Sequence, residues 1–408
     1  MKHYTTIVLG GGPSGISCAD HLKKRGMDYL IIERKVMLQS WRHERWDSFY
    51  LVTPNWMTHF PGLEDDIPYD NHYMSKNEIL DVLEAYLKKV NPNYIENTQV
   101  SRVYKENDYY YLETNRGQYQ CQNLIIATGL FNEPYYPTLK VHFPSSVKQM
   151  HSMDYTNVTE LLEGGTLVIG SGRSGIQIAL EVKEQTNSSV YLAVGSLTPI
   201  PSIYKNINGV YWLNQLSGYN QGPTILPYES NDFEDEKIMK KFAQNLANCQ
   251  KAGVTLTGRL LDVQENKVIF ADNLKQTILD AEAVMKRVER RIDGFIEEKA
   301  LTVSDTLISM NFERVDIMKL NIVTEVDVEQ DHITNVIWCT GFKPDYKWLA
   351  LDIFKDNGAI DLIDGVKTRE QVSFCGLSLE SDAGEKSAFG VGLYAVYESA
   401  GRAVAALI

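Results

Sequence analysis

An α/β fold built from two similar parallel-sheet units, one inserted into the other, is what the sequence predicts, on three observations. Thr6-Ile-Val-Leu-Gly-Gly-Gly-Pro-Ser-Gly-Ile16 is matched by Thr166-Leu-Val-Ile-Gly-Ser-Gly-Arg-Ser-Gly-Ile176 at an offset of 160 residues. Asn123-Leu-Ile-Ile-Ala-Thr-Gly129 is matched by Asn335-Val-Ile-Trp-Cys-Thr-Gly341 at an offset of 212 residues. Such self-similarity exposes a supersecondary unit before any single motif is interpreted. The third observation is that the apolar runs in both repeats are continuous rather than alternating, the pattern of parallel strands covered on both faces.

The elements follow in order. Ile7 to Leu9 reads as a buried strand, Gly10 to Gly15 as a turn, and Ile16 to Gly26 as a helix ending at glycine, after which Tyr29-Leu-Ile-Ile-Glu33 is a second strand. The second copy repeats this, with Ile176 to Val182 as helix and Val190 to Val194 as strand. Because Asn335 lies beyond the whole second copy, the expected division is 1–158 for the first part of one domain, 159–325 for the inserted domain and 326–408 for the remainder. Residues 276–300 place Ile278, Ala281, Met285, Val288, Ile292 and Phe295 on one helical stripe. That stripe fits a surface helix packed on the core, or a lid or dimer helix. Segment 217–236, rich in Ser, Gly, Asn, Pro and acids, reads as an irregular excursion.

Composition agrees with two or three domains at roughly 150 residues each, since the chain has 408 residues. With 44% hydrophobic and 23% charged residues it excludes disordered, collagenous and coiled-coil classes. A net charge of −13 disfavours adhesion to nucleic acid or anionic membrane. No apolar run approaches the ~18 residues of a membrane span, and the short Ile7–Leu9 run is no signal-peptide core. The five cysteines, Cys18, Cys121, Cys249, Cys339 and Cys375, are odd in number and lack C-x-x-C or metal-ligand spacing. A reduced, cytoplasmic setting and no metal are expected.

Gly10-x-Gly12-x-x-Gly15 needs its glycines for separate reasons. The first permits a tight turn, the second lets backbone approach a pyrophosphate, and the third lets helix and strand touch. Pro13 and Ser14 complete the turn, and the helix N-terminus offers free N–H groups to phosphate. Glu33 follows Gly10 by 23 residues at the end of the second strand. A carboxylate there accepts hydrogen bonds from both ribose hydroxyls of an adenine dinucleotide. The second copy, Gly170-x-Gly172-x-x-Gly175, has no such carboxylate. Its next strand ends Ala193-Val194-Gly195-Ser196, while Arg173 and Ser174 lie in the turn and Lys205 follows. Arg173, Ser196 and Lys205 would suit a 2′-phosphate, so NADPH is expected there. Two dinucleotide sites in one chain imply electron transfer between cofactors, and FAD with NADPH is the pair expected. Thr128 and Gly129, with Thr340 and Gly341, suit strand ends beside those cofactors.

These motifs resemble the class B flavin-dependent monooxygenases, the group of flavin-containing N- and S-oxygenases, Baeyer–Villiger enzymes and plant indole-pyruvate monooxygenases. The likeness is greatest to bacterial flavoproteins carrying a cation-transport label. It rests on Ser40-Trp-Arg-His-Glu-Arg-Trp-Asp-Ser-Phe-Tyr-Leu-Val-Thr-Pro-Asn-Trp56, Phe60-Pro-Gly62, Gly209-Val-Tyr-Trp-Leu213, Val336 to Tyr346 and Phe389-Gly-Val-Gly392. The resemblance implies that Gly12, Ser14, Glu33, Arg34, Trp41 and Arg42 hold FAD. It places Thr53 to Asn55 near the isoalloxazine, and Gly376 and a helix near Val391 at the flavin's pyrimidine end. Arg42 and Arg45 are the two candidates for neutralising phosphate, Arg42 the preferred one. The family's linker signature survives in part: His151-Ser-Met-Asp-Tyr155 keeps its last half, but Phe143 stands eight residues before His151 and Ser145 replaces glycine. His151 is then either a linker residue orienting the second domain or a structural histidine. The implied catalytic set is Asn55, His151 and Thr53. The implied reaction is insertion of one O2 oxygen through a flavin C4a-hydroperoxide, at N or S of a small molecule. An NADPH oxidase or quinone-type reductase without oxygen insertion is the alternative. A disulfide reductase is disfavoured, because no two cysteines are close in sequence. A homodimer is compatible with the sequence.

Overall fold

The computed structural model describes residues 1–131, 133–197, 201–216, 227–228, 232, 235, 238, 244–303, 314–377, 393 and 395–407. Strands Lys2–Leu9, Tyr29–Ile32 and Tyr94–Ile95 run parallel in that order, and Gly117–Ile126 lies parallel on the other side of Lys2–Leu9. Beyond it come Ser373–Phe374, Lys367–Thr368 and Leu362–Ile363, and the antiparallel strands Val100–Glu106 and Tyr109–Thr114 branch from Gly117–Ile126. A second, wholly parallel sheet has the order Thr255–Thr257, Val190–Ala193, Gly165–Ile169, Ile333–Trp338, Lys148–His151.

The central strands behave as their unbroken apolar runs require: every residue of Tyr29–Ile32 and of Gly165–Ile169 is buried. Each Leu, Ile or Val so enclosed stabilises the fold by about 1.5–3 kcal/mol relative to exposure. Helix Pro13–Lys24 packs Ile16, Ala19 and Leu22 on the first sheet beside the C-terminal helix Val396–Ala405, whose Ala400 and Ala403 are small enough for close approach. Helix Lys76–Val90 is framed by a Ser75–Glu78 capping box and a left-handed Asn91.

The two sequence repeats acquire a common explanation. In the first sheet Thr6 pairs with Asn123, and in the second Thr166 pairs with Asn335. Each repeated pair is thus one strand of a unit and its immediate neighbour. The expected boundaries placed 148–151 and 333–338 with the first unit. Their ladder bonds lie instead in the second sheet, where Trp338 pairs with both Ile169 and His151. At the level of the sheets, the second unit therefore reaches from Lys148 to Trp338 rather than from 159 to 325. The two crossings are zipped together: Glu133–Pro134 pairs antiparallel with Phe342–Lys343.

The expected amphipathic helix is Leu274–Glu298. Ile278 joins the core of the second sheet, while Ile292, Val288 and Phe295 pack with Trp56, Tyr211 and Trp212. Most of 217–236 lies outside the described residues. Tyr228 is buried against Tyr73, their hydroxyls 2.6 Å apart.

Candidate functional site

The first glycine turn is made by contacts that exclude side chains. Gly10 has φ +112°, and a Cβ there would stand 2.5 Å from the Ala127 carbonyl oxygen. A Cβ on Gly15 would stand 1.9 Å from the Gly10 carbonyl oxygen, whereas one on Gly12 would meet nothing within 4 Å. The chain is thus crowded behind the turn and open in front of it. Helix Pro13–Lys24 has Gly12 as N-cap with no side-chain capping bond, so its first-turn N–H groups face that opening. Pro13 sits at the start, where its missing N–H costs nothing.

Glu33 is buried, and its two oxygens accept from the Gly11 N–H at 2.6 Å and the Lys35 N–H at 2.8 Å. These bonds fix the carboxylate while leaving lone pairs for ribose hydroxyls. The cleft in front has a volume of about 430 Å³. Gly10, Gly12, Pro13, Ser14, Glu33, Arg34, Trp41, Thr128, Gly129 and Gly376 all line it, so the structure gathers these ten expected residues around one site. Gly376, at φ +80°, abuts Ser14: a Cβ there would lie 2.6 Å from the Ser14 hydroxyl oxygen.

Arg42 is placed differently from the ten. Its guanidinium pairs with Glu84 at 2.5 Å and donates through Nε to the Met37 carbonyl at 3.0 Å, so it braces helix Lys76–Val90 and does not line the cleft. Arg45 lines the cleft instead, lying 5.4 Å from the Trp41 ring centroid and donating to the Glu44 carbonyl. Sequence reading ranked the two arginines the other way, since nothing local separates a guanidinium facing Glu84 from one facing the cleft.

The second turn repeats the first. Gly170 has φ +109° with a Cβ position 2.4 Å from the Cys339 carbonyl oxygen, and Gly175 would collide with the Gly170 carbonyl at 1.8 Å. Gly172 is open, and helix Arg173–Gln185 likewise starts without a side-chain cap. Arg173 is its first residue, with Ser174 next. Crowding by protein pulls the Arg173 pKa downward, a shift the nearby Tyr73 opposes. Ser196 is exposed just past strand Val190–Ala193, and Lys205 occupies a left-handed position in the hairpin Ile203–Asn208.

The expected catalytic residues fare differently. His151 is fully buried; Met153 N–H donates to its Nδ1 at 3.2 Å, and its Nε2 donates to the Gly341 carbonyl at 3.0 Å. Burial lowers its pKa, and both ring nitrogens of the neutral imidazole are used. Of the two readings the sequence left open for His151, this arrangement is that of a structural histidine clamping the returning crossing. Gly341 O also accepts from Tyr135 N at 2.9 Å, and the Thr340 hydroxyl donates to the Tyr135 carbonyl. Thr340 and Gly341 therefore fasten the linkers and lie outside the cleft lining. Asn55 begins a short 3-10 turn, is buried, and donates through Nδ2 to Asp70 at 2.9 Å, while its Oδ1 has no partner among the described residues. Thr53 and Asn55 also lie outside the cleft lining. Asp70 contacts His72 Nδ1 at 2.9 Å, and His72 Nε2 reaches Asp235 at 3.2 Å, tying the Asn55 loop to the second unit. The Phe389–Gly392 motif and Val391 lie outside the described residues.

Fold and site together define a two-dinucleotide-binding α/β protein. Residues 7–200 match the model of the pyridine nucleotide-disulphide oxidoreductase family. Over 97% of both chains the protein is 28% identical to an uncharacterized oxidoreductase, CzcO, of Bacillus subtilis. Over 46% of each chain it is 32% identical to a probable indole-3-pyruvate monooxygenase of Arabidopsis thaliana. Among solved structures, the flavin-containing monooxygenase from Stenotrophomonas maltophilia superposes with a TM-score of 0.65 at 20% identity, covering 100% of this chain and 98% of that one. A bacillithiol disulfide reductase from Staphylococcus aureus follows at 0.64 and 15%, covering 99% and 98%. The motif resemblance to flavin-dependent monooxygenases is thus met in sequence and in fold. No described helix is long and apolar enough to cross a membrane.

Proposed function

We propose that the chain is an FAD-dependent, NADPH-consuming monooxygenase that transfers one oxygen of O2 to nitrogen or sulfur of a small molecule, by the flavin C4a-hydroperoxide route named above. The observation that carries this reading is the unlike pair of cradles: the first ends in the buried Glu33 carboxylate, the second has Arg173 as the first residue of its helix. Bound FAD would supply hydride acceptance from NADPH and reactivity toward O2.

The chain's own residues hold and shield. Glu33 accepts the adenosine ribose hydroxyls, the N–H groups after Gly12 face the pyrophosphate, and Arg45 over Trp41 supplies positive charge in the same cleft. Gly376 brings backbone against Ser14 at the cleft wall. Arg173 takes the 2′-phosphate of NADPH at the second helix start. Asn55, held by Asp70, offers as an acceptor its Oδ1, which has no partner among the described residues. No nucleophile or metal is needed for this chemistry, and no metal-ligating cluster occurs among the described residues.

Similarity to the plant monooxygenase supports oxygen transfer. Similarity of fold to the disulfide reductase keeps the second reading open, an NADPH oxidase or quinone-type reductase. The deciding experiment supplies 18O2 and NADPH with a panel of amines and sulfides, following labelled product and H2O2. Labelled oxide formed in step with NADPH consumption is expected for at least one substrate class. Release of all oxygen as H2O2 across the panel would replace the first reading with the second.

A further inference from the structure

A second cavity, of about 270 Å³, lies between helix Arg173–Gln185, helix Leu246–Ala252 and the loop at Ser48. Among the described residues it shares no lining side chain with the dinucleotide cleft. Gln177, Leu180, Glu181 and Glu184 line it at the i, i+3, i+4, i+7 spacing that keeps side chains on one helix face. One turn back along that helix stands Arg173, at the second glycine cradle. Ser48 enters from the first unit. Beside it, Trp46 packs with Tyr155 and Ile178 in the core of the second sheet, and the Asp47 N–H donates to the Thr156 carbonyl at 2.9 Å. The cavity is therefore a seam between the two units.

Its wall is rich in acceptors. Gln177, Glu181 and Gln244 are 6%, 7% and 9% exposed. The Tyr155 hydroxyl donates to Glu181 at 3.1 Å, and Gln177 Nε2 donates to Gln244 Oε1 at 2.7 Å. Gln177 Oε1 is left with no partner among the described residues, a state that buried polar atoms seldom keep. Glu184 adds a second carboxylate toward the exposed end of the same face. Against these two carboxylates the described lining sets one ammonium, that of the exposed Lys251. One water needs only about 10–15 Å³ of such space, so there is room for a molecule of several heavy atoms. Leu180 and Ala252 supply apolar wall for a carbon chain.

Two carboxylates and an amide oxygen call for a positively charged group with several N–H donors. A primary ammonium has three donors and no acceptor. A metal ion fits less well, since no metal-ligating cluster occurs among the described residues. We propose that this seam binds a small alkylammonium ion, with its ammonium held by Gln177, Glu181 and Glu184 and its chain along Leu180. The cation is bound and not converted, so the proposal stands apart from the oxygen-transfer reading.

Isothermal titration of the flavin-loaded full chain with 1,4-diaminobutane, without NADPH so that nothing is turned over, tests this. One diamine per chain should bind, while 1,4-butanediol should give no heat beyond dilution. Glu184→Gln and Glu181→Gln should each weaken the diamine roughly 10-fold or more, the loss expected for a hydrogen bond to a charged group. Gln177→Met should weaken it as well. Glu106→Gln, on the exposed antiparallel branch, should leave the affinity as it was. Glu184 is exposed, so its variant keeps the test open if the change at buried Glu181 disturbs folding. Absence of diamine binding overturns the proposal, as does equal binding of the diol or an affinity unchanged in the Glu184, Glu181 and Gln177 variants. Equal weakening by Glu106→Gln overturns it too, because the cation would then answer only to the net charge of −13.

Discussion

The two glycine cradles are built alike to within a few tenths of an ångström and differ at one strand tip and at the first helical residue, Pro13 in one and Arg173 in the other. Ala127 N–H donates to the Leu9 carbonyl, and Cys339 N–H to the Ile169 carbonyl, both at 2.8 Å. Gly10 and Gly170 then press on the carbonyls of those same two residues. Leu9 pairs with Ile32 and Ile169 with Ala193, so Glu33 and Val194 occupy equivalent positions. Backbone sterics dictate the shared part, whatever the ligand. The divergent part is side chain alone, and it is where ligand choice resides.

The largest test of that division is to fill each turn. Gly15→Ala and Gly175→Ala each place a Cβ within 2 Å of a backbone carbonyl oxygen, a clash neither strand can relieve without moving. About 1–3 kcal/mol of overpacking is expected in each case. Gly15→Ala should lose bound flavin, seen as loss of yellow absorbance on gel filtration. Gly175→Ala should keep the flavin and lose most of its NADPH-dependent reduction. Loss of flavin from both would show that the cradles are not separable.

Next in size is Glu33→Ala. It removes the ribose acceptor and leaves the Gly11 and Lys35 N–H groups without their carboxylate, at about 1–3 kcal/mol. Flavin affinity should fall roughly 10–100-fold by the same arithmetic, measured by fluorescence titration of cofactor-stripped protein. Unchanged affinity would remove Glu33 from the site.

The corresponding change in the second cradle is Arg173→Ala. Loss of a charge-assisted bond of about 1.5–3 kcal/mol should lower kcat/KM for NADPH about 10–100-fold while NADH changes less than about 2-fold. Equal effects on both nucleotides would dissolve the contrast drawn between the helix starts.

How much of this was legible follows the same division. Both turns, their helices and the Glu33 carboxylate were readable, because close backbone approach demands glycine at fixed spacing and leaves a visible signature. The allocation of 148–151 and 333–338 to the second sheet was not, since continuous apolar strands look the same in either sheet. Ladder register decides between them. The exchange of Arg42 for Arg45 depended on Glu84, forty-two residues away on another helix. His151 was named for a linker motif, yet whether an imidazole is poised or spent depends on what meets its second nitrogen, here the Gly341 carbonyl 190 residues on.

The smallest predicted effect concerns the bridge between the units. His72 lies between Asp70 and Asp235, and its pKa is raised, first by the Asp70 hydrogen bond and then by both carboxylate charges. A raised folded-state pKa means the bridge stabilises fully below the ordinary histidine range near 6.5 and loses its contribution as pH climbs through the raised value. Because His72 is 40% exposed, solvent screening limits the gain to about 1 kcal/mol or less. The difference in Tm between the native protein and His72→Asn should therefore be largest near pH 6 and shrink toward pH 8. Asp70 also receives the Asn55 side chain, so any accompanying change in turnover should appear in kcat rather than in flavin affinity. A Tm difference that grows with rising pH would reverse the sign and exclude the charged bridge as its source.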